Sequence, residues 1–176
     1  ALETGSLLWD QAWDVKQNPR CTQPLLIDND LVMFGTTGKM GSRLLRVRKN
    51  EAAWDVKQEW ETNKFRPYFN DCVLHKGYIY GFDGDRFACI DVKAGGRQWE
   101  GKRYDGQVLL LADMDMLLVL SEAGEVVLVD ATPERFNERT RFKALTGKTW
   151  NHPVIAYGKL FVRNAEEAVC YELTPL

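Results

Sequence analysis

The sequence holds little that reacts. Histidine occurs only at His75 and His152 in 176 residues. The four cysteines, Cys21, Cys72, Cys89 and Cys170, include no adjacent pair and no CxxC spacing, so a thiolate zinc site is not expected. No apolar run approaches the roughly 18 residues of a membrane span. The run at residues 108–112, as long as any, has the length of a strand and stops at Asp113. No charge excess stands out either. With 23 basic and 25 acidic residues the net charge is -2, which removes the electrostatic motive for nucleic acid or an anionic membrane as partner. There is no initiator methionine and no leader pattern. Ala1-Leu2-Glu3-Thr4-Gly5 reads as structured from the outset, and a mature or trimmed piece of a longer protein is expected.

What remains is apolar and periodic. Hydrophobic residues make up 45% and aromatics 11% of the chain, enough for a packed core rather than a disordered coil. Residues 75–99 set the pattern. Lys76-Gly77 is a turn, and Tyr78-Ile79-Tyr80-Gly81-Phe82 alternates as a strand does. Asp83-Gly84 signals a hairpin, because glycine tolerates the positive φ of a two-residue turn. Phe87-Ala88-Cys89-Ile90 is a second strand, and Ala94-Gly95-Gly96 turns the chain into a third near Trp99.

The same unit recurs. Strand, polar turn, strand reads at Leu25-Leu26-Ile27 and Leu31-Val32-Met33-Phe34, at Leu109-Leu110-Leu111 and Met116-Leu117-Leu118-Val119, and at Val154-Ile155-Ala156 and Lys159-Leu160-Phe161. Asp91 and Asp130, like Trp60 and Trp99, lie about 39 positions apart. Four short strands at that period make a β-propeller blade. The expected architecture is all-β, one propeller segment of about four blades at 21–60, 70–99, 107–143 and 150–173. Residues 4–9, which carry a Gly turn and Trp9, are expected as a displaced outer strand of the last blade. Such a strand would cover two sheet edges. Two insertions depart from the repeat, a Gly/Ser/Thr loop at 36–42 and a segment at 50–55. In residues 131–137, Thr132, Pro133 and Glu134 suit the start of one helical turn.

The run from Asp83-Gly84 through Phe87-Ala88-Cys89-Ile90-Asp91 to Lys93-Ala94-Gly95-Gly96 and Gln98-Trp99 resembles the PQQ-like β-propeller repeat. That repeat builds quinoprotein alcohol dehydrogenases and an outer-membrane assembly lipoprotein. It also builds a family of uncharacterised, usually exported bacterial proteins, whose C-terminal half the segments 125–136 and 148–154 resemble. The resemblance covers nearly the whole chain. It implies that Trp9, Trp60 and Trp99 dock between blades, and that Asp and Gly shape turns. Relatives carry six to eight blades, so about four imply a partial ring, half of an eight-bladed propeller. A self-contained four-bladed ring remains the other option.

The resemblance also says what a quinoprotein enzyme needs: a vicinal cysteine pair facing PQQ, and Glu, Asn and Asp ligands for calcium. The chain has no such pair, and its acidic residues fall on turns, so neither PQQ nor calcium is expected. Asp83-Gly84-Asp85 offers hard oxygens but reads first as a hairpin. His75 sits on a turn and His152 precedes Pro153 where a unit begins. In propellers the segment leading into the innermost strand lines the central funnel. Asn70, Asp71, Asn151 and His152 are therefore the candidate ligand-binding residues at a polar funnel mouth, against the alternative of strand-start hydrogen bonding. No catalytic or metal residue is assigned.

Cys89 and Cys170 occupy equivalent strands on non-adjacent blades, too far apart for a disulfide, and are expected as small buried hydrophobes. Cys21 and Cys72 lie at successive strand starts nearer the axis, where a bond is conceivable but not expected. The run Arg43, Arg46, Arg48, Lys49 alternates with Leu44-Leu45 and Val47, as one solvated strand face. The preferred function is a non-catalytic interaction scaffold of an exported, periplasmic or extracytoplasmic protein, with a protein partner or a second half-propeller. The alternatives are part of a PQQ-dependent or small-ligand-binding propeller completed by missing blades, and a structural subunit of a larger complex.

Overall fold

The structure is a computed structural model that describes residues 1–14, 21–51 and 53–173. Ala52, within the insertion expected at 50–55, lies outside them. Among the described residues, fifteen strands form four antiparallel sheets. The first is β1 (Leu25–Asp28), β2 (Leu31–Gly35), β3 (Ser42–Lys49) and β4 (Trp54–Thr62). The second is β5 (Val73–His75), β6 (Tyr78–Asp83), β7 (Arg86–Asp91) and β8 (Arg97–Arg103). The third is β9 (Gly106–Leu111), β10 (Met116–Ser121), β11 (Glu125–Asp130) and β12 (Glu138–Lys143). The fourth has β13 (Val154–Ala156), β14 (Lys159–Arg163) and β15 (Ala168–Glu172). Every sheet is an up-and-down meander in sequence order, the topology of a propeller blade.

Local chemistry fixes the inner hairpins. Lys76 and Gly77 have φ of 48° and 83°, and Tyr157 and Gly158 have 52° and 68°. Two successive left-handed residues make the turn whose twist matches that of the strands. Asp115 (φ 51°) performs the same reversal after a single 3₁₀ turn at Ala112–Met114. The helical turn expected within 131–137 is absent; this segment is irregular. Its residues are held as a dock for the neighbouring blade, as described below.

The core consists of blade-on-blade layers. Ile79, Ala88 and Ile90 of the second blade pack with Met33 and Leu44 of the first. The opposite face of the same strands, with Tyr80, Phe82, Phe87 and Cys89, packs on Val108, Leu117, Val119 and Val127 of the third. Leu118, Leu120 and Val126 then turn the third blade's other face to Leu160 and Val162 of the fourth. A middle blade is buried on both faces, so β6 and β10 read as near-continuous apolar runs rather than as alternation. The innermost strands β1, β5 and β9 approach one another in succession, which places the blades around a common axis.

Aromatic latches join the outer strands to the next blade. Trp60 on β4 donates its Nε1–H to the Val92 carbonyl at 2.7 Å. Trp99 on β8 donates to the Thr132 carbonyl at 2.7 Å and meets the Phe136 ring edge-on at 5.6 Å. Between the third and fourth blades the roles are split. Phe142 meets Tyr171 at 5.2 Å, and the Tyr171 hydroxyl donates to the Ala144 carbonyl at 2.9 Å.

Residues 4–9 form no strand, contrary to the sequence expectation, and the fourth sheet has three strands among the described residues. Local bonds take the backbone instead: the Gly5 N–H donates to the Ala1 carbonyl at 2.8 Å, and the Ser6 N–H to Thr4 Oγ1 at 3.2 Å. Such Ser/Thr contacts compete with ladder formation. The basic strand β3 also differs from a freely solvated face. Arg43 pairs with Glu61 at 3.0 Å, and Arg46 with Asp30 and Glu59 at 2.7 Å each. The cross-strand partners on β4 and in the β1–β2 turn neutralise the row.

The cysteines divide by position. Cys72 and Cys89 are buried, Cys21 and Cys170 are exposed, and all four are free. Cys170 is on β15, where among the described residues no blade covers its face, so the expectation of burial fails there. Burial pushes the Cys72 and Cys89 thiols up to about 12. A thiol-reactive probe at neutral pH is therefore expected to label Cys21 and Cys170 quickly, with Cys72 and Cys89 reacting only on unfolding. Rapid labelling of all four would contradict this packing.

Candidate funnel-mouth cleft

The segments that lead into the innermost strands converge at one end of the axis. Asn70, ahead of β5, is buried and donates Nδ2–H to the Gly106 carbonyl at 2.6 Å. Asp71 Oδ1 accepts the Gln23 N–H from ahead of β1 at 2.8 Å. The other Asp71 oxygen lies 3.7 Å from His152 Nε2, ahead of β13. One carboxylate thus ties the lead-in segments of three blades. Gly106 is confined to glycine by packing: a Cβ there would sit 2.4 Å from the Leu120 carbonyl oxygen.

Between these segments opens a cleft of about 630 Å³. Tyr68, Phe69 and Trp150 form its apolar rim, with 42%, 54% and 63% of their surface exposed. Three large rings left in water around one concavity are more than scattered surface hydrophobes. Gln107 lies in the floor, with Asp105, Glu122 and Lys148 at the sides. The Lys148 ammonium is 4.5 Å from the Trp150 ring centre and 3.7 Å from Glu122 Oε2. Burial raises Asp105 above the usual carboxylate range, and the Glu122 and Asp85 carboxylates add to the effect against Lys148.

Of the four sequence candidates, Asn70 and His152 line the cleft. Asp71 sits behind them, holding His152 and Gln23. Asn151 is half-buried in the same segment and does not line the cleft. The aromatic rim escaped sequence reading. Its signal lay one position upstream: Phe69 precedes Asn70 and Trp150 precedes Asn151, at equivalent points of the repeat.

Two other polar clusters serve the scaffold. His75 is buried, and its Nε2 meets Asp115 Oδ1 at 2.5 Å, while Lys76 reaches Asp115 Oδ2 at 2.6 Å. Lys76 first, then His75, holds the Asp115 carboxyl below its ordinary range. This clasp joins the inner turns of two blades; the sequence had shown only a polar turn. Asp83, whose side chain is 2% exposed, pairs with Arg66 at 2.6 Å and Arg97 at 2.8 Å. Gly84 beside it takes φ 62°, as a hairpin requires.

No family model matches the chain, and no curated protein matches it. Solved structures do. AztD from Citrobacter koseri superposes with a TM-score of 0.53 at 16% identity, over 83% of this chain and 42% of that one. Apo AztD gives 0.51 at 16% identity, over 83% and 43%. BamB from Moraxella catarrhalis gives 0.55 at 13% identity, over 94% and 63%. The likeness is one of fold, that of a partial β-propeller. The chain spans about two fifths of AztD and less than two thirds of BamB.

Proposed function

We propose that the chain is a non-catalytic β-propeller interaction scaffold of an exported bacterial protein, and that its funnel-mouth cleft receives a polypeptide segment of a partner. The observation that carries this reading is the rim of Tyr68, Phe69 and Trp150 standing exposed around a polar floor. Aromatic anchors of that kind dominate recognition surfaces. Neither PQQ nor calcium is needed for it. The sequence lacks vicinal cysteines, and the carboxylates of the Asp83-Gly84-Asp85 turn are already engaged by Arg66, Arg97 and Arg103. The test is co-purification of a defined partner with the wild type, and its loss in a Phe69→Ser, Trp150→Ser variant that melts at the same temperature. Robust turnover of an alcohol with added PQQ and calcium would refute the reading.

A second reading, assembly with a second half-propeller, is favoured by the fourth blade. There the cross-strand row Val154, Phe161, Cys170 is open to solvent. In the second blade the matching row Val73, Tyr80, Cys89 is covered by the third blade. Light scattering showing only a lone monomer would remove this reading.

A further inference from the structure

We infer that the cleft selects an arginine side chain of the incoming polypeptide, a conclusion that rests on the reading of the cleft as a polypeptide site. The Asp105 carboxylate makes no hydrogen bond or ion pair among the described residues, although it is half-buried and faces the like charge of Glu122 and Asp85. Lys148 makes no ion pair with Asp105 and is engaged by Trp150 and Glu122, and His152 pairs with Asp71. The site therefore holds a carboxylate short of a cation.

Beside it, Gln107 is only 7% exposed, and its Oε1 has no partner. The amide orientation is fixed by its other end, because Nε2 faces two carbonyl oxygens, those of Phe69 and Trp150, each at 3.5 Å. The orphan atom is thus an acceptor. Asp105 directly precedes β9 and Gln107 is its second residue, and both line the cleft. Two unpartnered acceptors on one cleft, a net negative field and flat rings at the rim match a guanidinium. That group is planar, carries five donors in a fork and stacks on aromatic faces. An ammonium is a point charge and does not span both acceptors. The posture of Lys148 over Trp150 shows that this ring already accepts a cation.

The experiment is a two-dimensional NMR titration of the full ¹⁵N-labelled chain, following the Trp150 indole N–H, assigned through a Trp150→Phe variant. The probes are three capped Gly-Xaa-Gly peptides with arginine, lysine or the neutral isostere citrulline at the centre. The arginine peptide is expected to give a saturable shift, the lysine peptide to bind at least about fivefold more weakly, and the citrulline peptide not to bind. Asp105→Asn is expected to weaken the arginine peptide about tenfold or more without lowering the melting temperature. Equal binding of citrulline, or an Asp105→Asn variant that binds as wild type, overturns the arginine assignment. A random library whose arginine-free members shift Trp150 would also sink it while leaving the polypeptide site standing. Failure of every peptide in that library to move Trp150 would overturn both.

Discussion

Trp99→Ala is expected to lower the free energy of unfolding by about 3–5 kcal/mol, the range for emptying a large aromatic site in a core. Trp99 is 8% exposed, although it lies on an outermost strand. Its ring is 5.9 Å from Phe87 and 6.0 Å from Tyr80 within its own blade, and 5.6 Å from Phe136 of the next. Its indole N–H also satisfies the Thr132 carbonyl. The substitution removes apolar area, leaves a cavity between two blades and strands a carbonyl. Trp99→Phe keeps most of the area and forfeits the hydrogen bond, so about 1–2 kcal/mol is expected. Trp60→Ala is expected to fall below Trp99→Ala, because Trp60 is only half-buried. Urea titration of the three variants measures the order. A Trp99→Ala cost under about 1 kcal/mol would show that the latch does not bind the blades together.

The latches were legible in the sequence because each blade repeats its chemistry about every 39 residues. A tryptophan on an outer strand has nowhere to bury itself except against the neighbouring blade. The stacking of Ile79 one way and Tyr80 the other follows from the two-residue period of a strand once the sheet is known to be covered on both sides. What stayed hidden depends on which blades meet and where. His75 and Asp115 are about one repeat apart and touch only because their turns are stacked. The arginines of β3 were read as one solvated face, whereas each is ion-paired, and Arg43 and Arg46, three apart on one strand, point to opposite faces. Their partners Glu59 and Glu61 lie on the adjacent strand, and a shift of register between Leu44 and Leu45 sets which acid faces which base. Residues 4–9 imitate a Gly turn and terminal Trp, but a strand exists only where an edge accepts it. Phe69 and Trp150 recur at one point of the repeat, but in lead-in segments outside the strands, so only the fold shows that they share a rim with Tyr68.

Gly95→Ala is expected to cost about 2–4 kcal/mol, whereas Gly96→Ala next to it is expected to be neutral or to stabilise by up to about 1 kcal/mol. Sequence alone treats the two glycines as one turn; the structure separates them. Gly95 has φ 64°, and an added Cβ would meet Trp60 Cδ2 at 2.7 Å and Cε3 at 2.9 Å. The left-handed conformation alone costs a non-glycine residue about 1–2 kcal/mol. The clash adds to it, because Trp60 cannot retreat without giving up its bond to the Val92 carbonyl. Asp91 grips the same turn from the other side: its carboxylate accepts the Ala94 N–H at 2.7 Å and its carbonyl accepts the Gly95 N–H at 2.9 Å. Gly96 has neither constraint, with open space where its Cβ would go. Gly84→Ala isolates the backbone contribution, since Gly84 has φ 62° and no neighbour near the added carbon. Its cost should be about 1–2 kcal/mol, and the excess of Gly95→Ala over Gly84→Ala then measures the blade contact itself. Equal costs at 84 and 95 would mean that the Trp60 ring shifts freely, and that the first two blades are joined by their apolar layer alone.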